Sequence, residues 1–489
     1  MKKQLVFLFA LITAYTLFYI NLPPWWDGTT TAITALDTVR ANIDIYVDFF
    51  GKPPFIFMSL GSLFKLFGYS PAIIHLYMFG FSLAAIYFTY KAGELLSNKE
   101  IAIAASFFLA FSPLFIAQSV NLNFDLPAMA LVMASYYYLL KKDHLKYAIA
   151  GTLLVMTKEV GILFIAAGVL STVFYDRKWQ ALSAHLVPTL IVIVWAYGNY
   201  TRHGWFLFPR DSPILLFETI LNENFFMRLE QLFIMNFNWI LTFLAGLSVI
   251  VWLYRHHLKI DSEIFRQLMP MMLFSLFFLI TVAPIRDFNL PRYVLVLYPA
   301  LYLIAAWAIF NFFGENKKIF LTVIVFIVAL FAAQTAFSLY SQNPYVFLDP
   351  ATQKMYGEKP GITLGGSEVI EINLKYVDYV KADIELVDYL NTTDHSLPLL
   401  LNRFNHYSIF KAANKGIDTG YGQKYPREYK ELGDFYRSPD TISYPAILVI
   451  EDFNKFDLEK MYNMYNVTFL KQIRVNGVGA DVYLIDKDY

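Results

Sequence analysis

Eleven or so apolar runs, each close to the length that crosses a bilayer, occupy the first 340 residues: 4–22, 72–92, 100–118, 126–141, 145–157, 160–175, 180–198, 235–254, 266–284, 292–313 and 318–338. About 17 to 25 apolar residues in a helix span the hydrocarbon core. A backbone in lipid has no water to bond with, so such segments must be helical. The apolar residues come in runs rather than singly: 57% of the 489 residues are hydrophobic, 18% aromatic and 16% charged. The expected class is an α-helical polytopic membrane protein of about eleven transmembrane helices.

Lysines and arginines collect at Lys2-Lys3, Lys91 to Lys99, Lys141-Lys142, Arg177-Lys178, Arg255 to Lys259 and Lys317-Lys318. By the positive-inside rule these loops alternate correctly with a cytoplasmic N-terminus, which puts the C-terminal region outside. The expected location is the plasma membrane, multi-pass. Asn-x-Ser/Thr triplets at Asn199, Asn391 and Asn466 are compatible with this orientation. Segments 30–50 and 55–67 keep the parity if they lie as amphipathic helices in the outer interface. The first run lacks a small-residue cleavage site before Pro23-Pro24 and reads as an uncleaved span. Beyond 340 the long runs stop, and strand-like stretches at 398–402, 446–450, 467–474 and 482–485 alternate with helix-like pieces at 382–390 and 458–465. The expected division is a membrane domain at 1–340 and an extracytoplasmic soluble α/β domain at 341–489. The chain has no cysteine, which excludes thiolate and disulfide chemistry. Zero net charge without a long basic run argues against nucleic acid.

Chemistry must then come from ionisable residues at the outer ends of the spans. Asp27 follows two tryptophans suited to a membrane interface, and it reads equally as a helix cap or as a base for an acceptor hydroxyl. Lys52, ahead of Pro53-Pro54, suits either a phosphate contact or snorkelling at the lipid boundary. Asp125 opens a span in Asp125-Leu126-Pro127, where local sequence favours an N-cap. The pair Lys158-Glu159 would be costly in lipid, so it lines a cavity mouth or forms its own ion pair. Arg286, Asp287 and Arg292 surround another helix start, where an arginine fork grips phosphate or merely faces water. Arg202, His203 and Arg210 line a substrate entrance or are solvated. No HExxH, Gly-x-Ser-x-Gly or Walker motif redirects the search.

Together, Asp27, Lys52-Pro53-Pro54 before Phe64 to Gly68, Asp125-Leu126-Pro127, Thr157-Lys158-Glu159 and Pro291-Arg292-Tyr293 resemble the membrane glycosyltransferases of the C superfamily. The closer resemblance is to the branch holding dolichyl-phosphate-mannose protein mannosyltransferases and the aminoarabinose transferase of lipid A, and it covers roughly 1–340. It implies a polyprenyl-phosphate-sugar donor, inversion, and a glycan, lipid or protein acceptor. It also implies Asp27 as base, Asp125 in its support, and Lys52 and Arg292 on the lipid phosphate; Lys158, Glu159, Arg286 and His203 are candidate site-lining residues from their own positions. Two departures stand out. Gly28 replaces the acidic residue of the protein mannosyltransferases, and Gly51 replaces a metal-binding Glu or His found in some relatives. No cofactor is required, and a divalent metal ion is left open. The rival expectation is a polytopic transporter or flippase of a lipid-linked or small anionic substrate, which would place charges near mid-membrane and show two similar halves with broken helices.

Overall fold

The computed structural model describes residues 2–40, 52–176, 179–206, 223–255, 262–282, 290–314, 316–341, 346–357, 374, 376–401, 404–414, 419–423, 428–431, 444–451, 462–463 and 465–486. Its helices are α1 (Lys2–Phe18), α2 (Asp27–Arg40), α3 (Phe55–Phe67), α4 (Pro71–Leu96), α5 (Lys99–Phe111), α6 (Pro113–Ser119), α7 (Asp125–Lys141), α8 (His144–Val155), α9 (Val160–Ser171) and α10 (Trp179–His203). They continue as α11 (Glu223–Phe233), α12 (Asn238–Arg255), α13 (Ser262–Thr281), α14 (Tyr298–Phe313, preceded by a 3-10 helix, Pro291–Leu297) and α15 (Lys317–Tyr340). The described part of each apolar run read from the sequence falls mainly on helix. Among the described residues, four helices are long and apolar enough to cross a membrane, six if each of two bent pairs is one span.

Those bent pairs correct two expectations. The run 100–118 is not one straight helix: α5 and α6 meet at 65°, because Pro113 lacks a donor and its ring clashes with the preceding turn. The run 235–254 is the second half of an 82° bend between α11 and α12, turned by left-handed Asn236 (φ 55) and Phe237 (φ 66). The buried carboxylate of Asp349 accepts a backbone donor this bend releases, Phe237 N at 3.0 Å, and the indole Trp239 Nε1 at 3.0 Å. Thr352 Oγ1 accepts from Asn236 N at 2.8 Å and donates to Asp349 at 2.5 Å. The 41–50 part of the expected interfacial helix lies outside the described residues. The remainder, α2, packs on α3 so closely that a Cβ on Gly61 would stand 2.5 Å from Ala35 O.

The C-terminal region forms a five-stranded sheet, in the order β2-β1-β3-β5-β4. The strands are β1 (Leu399–Leu401), β2 (Tyr429–Glu431), β3 (Ala446–Glu451), β4 (Asn466–Val475) and β5 (Val478–Asp486). β1 runs parallel to β2 and β3, whereas β5 is antiparallel to both β3 and β4. Helices α16 (Tyr376–Leu390) and α17 (Phe404–Asn414) complete the layer. Neither β2 nor α17 was expected, and most of 458–465 lies outside the described residues. One face of the sheet buries Leu399, Leu401, Val449 and Val482 with Leu386 and Val387, and that same core takes in Tyr19, Trp25 and Ile116 from the helical part. Trp25 is therefore not an interfacial tryptophan: it is fully buried and stacks on Tyr376 with centroids 5.8 Å apart.

Candidate active site

Asp27 opens α2 directly after Trp26, whose left-handed backbone (φ 53) turns the chain out of the preceding loop. The turn is closed by Gly28 N to Trp25 O at 2.9 Å and Thr29 N to Trp26 O at 3.0 Å. A Cβ on Gly28 would lie 2.9 Å from Leu122 O and 3.1 Å from Asn121 Oδ1. The start of α2 therefore rests directly on the stretch before α7, and an acidic side chain at 28 does not fit without backbone displacement. That stretch also frees Asp125 from the expected capping duty. Asn123 caps α7 instead, accepting from Leu126 N at 2.9 Å while its amide donates to Gln118 O at 3.0 Å and Asn121 O at 2.8 Å.

With Asn123 in that role, the Asp125 carboxylate takes part in a chain of charges. Lys158 donates to Asp125 Oδ1, Arg292 Nε lies 3.4 Å from Asp125 Oδ2, and Arg292 Nη2 donates to Asp27. Side-chain exposure falls from 35% at Asp27 to 6% at Asp125 and 5% at Arg292. Asp27 is thus the most exposed member of the ion chain, with Lys158 at 22% at its other end. Lys158 sits on the turn between α8 and α9, held by Lys158 N to Leu154 O at 3.2 Å and Gly161 N to Lys158 O at 2.9 Å. Phe55 N donates to Met156 O at 2.8 Å, tying the Lys52 segment to the same turn. The Lys52 ammonium lies over the Phe124 ring at 5.2 Å and, among the described residues, has no carboxylate partner. Its field nonetheless reaches both Asp27 and Glu159.

These neighbours set the protonation of Asp27 and Glu159. Burial pushes the Asp27 carboxyl up, while Arg292, Lys52 and Lys158 pull it down, and the balance lies below the ordinary carboxylate range. Burial dominates at Glu159, which is held above its usual range despite its own backbone amide, Lys158 and Lys52. The Asp27 carboxyl is thus the more readily ionised of the two and Glu159 the more readily protonated.

Sequence reading missed Arg228. It lies on α11, in a stretch read as loop, and is almost fully buried at 1% exposure. It donates to Gln231 Oε1 at 2.9 Å and to Leu290 O, two residues before Arg292, at 2.7 Å. Its guanidinium stands 5.0 Å from the Tyr293 ring, which Lys158 also meets, at 4.6 Å. The available signal was Phe225, Arg228 and Leu232, spaced to share one helix face with the cation in the middle of it. The structure does not bring His203 into the charge chain: it stands exposed at the end of α10, stacked on Trp205 at 5.3 Å. Arg210, Arg286 and Asp287 lie outside the described residues. Among the described residues no three His, Asp or Glu side chains group to hold a metal ion, and the cations on Asp27 and Asp125 oppose a divalent ion there.

Residues 51–197 match the family described as dolichyl-phosphate-mannose-protein mannosyltransferase. That span takes in Lys52, Asp125, Lys158 and Glu159. No curated protein matches the chain by sequence. Among solved structures, ArnT from Cupriavidus metallidurans bound to undecaprenyl phosphate is 13% identical, with a TM-score of 0.57 over 98% of this chain and 97% of that one. Its apo state is 12% identical, with a TM-score of 0.60 over the same 98% and 97%. The fold is that of ArnT. Arabinofuranosyltransferase AftD from Mycobacteria is 12% identical, with a TM-score of 0.48 over 100% of this chain and 40% of that one. The likeness to ArnT covers 98% of the chain, so it takes in the C-terminal sheet as well as the helices.

Proposed function

We propose that this chain is an inverting glycosyltransferase of the membrane, moving a hexose or pentose from a polyprenyl-phosphate donor, dolichyl phosphate included, to an acceptor hydroxyl on the outer face. The observation that carries this reading is the charge chain Lys158, Asp125, Arg292, Asp27, most exposed at Asp27 and flanked by Lys52. In a single displacement the acceptor oxygen attacks the anomeric carbon as the bond from that carbon to the phosphate oxygen breaks. Asp27 takes the acceptor proton, and the bond pair leaves with the phosphate, whose charge Lys52 and Arg292 neutralise. A phosphate leaves without a strong acid, so one ionised base with several cations suits the task better than a glycosidase carboxyl pair. The family match and the likeness to ArnT bound to undecaprenyl phosphate support a lipid-phosphate donor. The close approach at Gly28 argues for a glycan or lipid acceptor over protein O-mannosylation. In this reading residues 1–340 form the membrane domain and 341–489 an extracytoplasmic cover.

The test is transfer of radiolabelled sugar from a panel of polyprenyl-phosphate sugars in reconstituted membranes. Wild type is expected to transfer from at least one donor, and Asp27→Asn to lose about 10²-fold or more, the usual worth of a positioned base. Full turnover in Asp27→Asn would sink the base, and no transfer from any donor would sink the activity.

A further inference from the structure

The loop that delivers Asp27 is gripped from the C-terminal layer. Pro24 O accepts two hydroxyls, from Thr29 at 2.6 Å inside the same turn and from Tyr421 at 2.9 Å across the interface. Tyr421 is 1% exposed. Its neighbour Gly420 has a left-handed φ of 88, and a Cβ there would stand 2.9 Å from Pro71 Cγ and 3.4 Å from Pro23 Cγ. Thr419 O accepts from Tyr69 at 3.4 Å. The 419–421 turn is thus wedged between the start of α4 and Pro23-Pro24. One residue on, Trp25 stacks on Tyr376 and also meets Tyr379 at 6.3 Å. From α4, His75 Nε2 lies 2.8 Å from Leu22 O.

Packing this dense is more than a cover requires, because it converges on one short segment. Leu22 to Trp26 carries no titratable side chain, yet every contact on it restricts where residue 27 points. A carbonyl bonded by two hydroxyls resists rotation of the Pro24–Trp25 peptide. Trp26, held left-handed at φ 53, passes any such rotation directly into α2. A displacement of about 1 Å at a reacting group costs roughly a hundredfold in rate.

We propose that Tyr421 is a positioning residue: its hydroxyl fixes the Pro24 carbonyl and thereby aims Asp27, so that the C-terminal layer is part of the active site's mounting. This rests on Asp27 being the base. It requires the hydroxyl itself, since the ring alone would serve for packing.

The test compares wild type, Tyr421→Phe, Thr29→Val, the double variant and Asp27→Asn in reconstituted membranes. Turnover is normalised to protein that still binds polyprenyl phosphate. Tyr421→Phe is expected to lower kcat about tenfold with the donor KM within about twofold, and to move the acid limb of the pH profile up toward the ordinary carboxylate range as Asp27 drifts from Arg292. The double variant is expected to lose more than the product of the single losses, because both hydroxyls serve one oxygen. A Tyr421→Phe protein with wild-type kcat and an unmoved acid limb, beside a dead Asp27→Asn, overturns the proposal and leaves the base intact. Loss of binding-competent protein with unchanged kcat per competent molecule overturns it in favour of plain structural packing. An active Asp27→Asn removes the base reading, and this proposal with it.

Discussion

Arg292 is shared between two carboxylates, and that sharing sets what each of them can do. Its Nη2 serves Asp27 and its Nε faces Asp125, while Lys158 satisfies the other oxygen of Asp125. Asp125 is therefore charge-balanced and buried, whereas Asp27 keeps part of its surface toward solvent. The sign of the Asp27 shift gives a testable pH dependence. A carboxylate held below its ordinary range stays ionised until the pH falls below that range, so the acid limb of kcat/KM should lie beneath the limb of an unperturbed aspartate. The same pairing contributes stability that is complete above the unfolded pKa and is lost as pH falls through the lowered folded value. Arg292→Gln removes the strongest cation acting against burial, so the limb should move upward in a pH series of initial rates, with kcat falling at every pH. An unmoved limb would mean that Lys52 or Lys158 sets the protonation of Asp27. At this scale much was legible, because ionisable residues stand out against an apolar background and each must be partnered or functional. Arg228 was hidden because its helix is short and lies in a stretch without a long apolar run.

Among elements, the bends are where reading from hydropathy fails, because an apolar run carries no information about direction. Pro113 was visible in the sequence and still sat inside a run that reads as one span. The α11–α12 bend had no local signal at all, since the residue that stabilises it, Asp349, lies more than a hundred positions further on. That distance gives a clear prediction. Asp349→Ala leaves the buried Phe237 N without its acceptor, worth about 1–3 kcal/mol of destabilisation, and takes the acceptor from the partly exposed Trp239 Nε1 at smaller cost. A thermal melt in detergent should show a lowered midpoint, while Asp349→Asn, which keeps one acceptor oxygen, should lose less. Equal midpoints for all three proteins would show that the bend is held by helix packing alone. β2 was unreadable for a different reason: Tyr429-Lys430-Glu431 is too short to show a period of two and lacks the apolar run that marks β1 at Leu399–Leu401.

At the scale of the whole molecule, the site is assembled from segments around 27, 52, 125, 158 and 292, brought together by α2, α3, α7, the α8–α9 turn and the start of the 3-10 helix. No two of these segments adjoin in the chain, so a ligand that touches several of them should stabilise the entire fold rather than one loop. A polyprenyl phosphate bound to the native state alone contributes about 2.7 kcal/mol at a hundredfold excess over its Kd. Lys52 is the informative position for separating phosphate from tail. Its ammonium has no carboxylate partner among the described residues, so Lys52→Gln removes the charge without leaving a buried anion unpaired. The melting midpoint of wild type should rise with added polyprenyl phosphate, and the ligand-free midpoint of Lys52→Gln should match that of wild type. The lipid-induced rise should be smaller in Lys52→Gln at every concentration. Lys158→Gln should instead lower the ligand-free midpoint, because it strands Asp125 with Arg292 alone. An undiminished rise in Lys52→Gln would place the phosphate on Arg292 and Arg228, deeper in the charge chain, and would leave Lys52 a field-setting cation for Asp27.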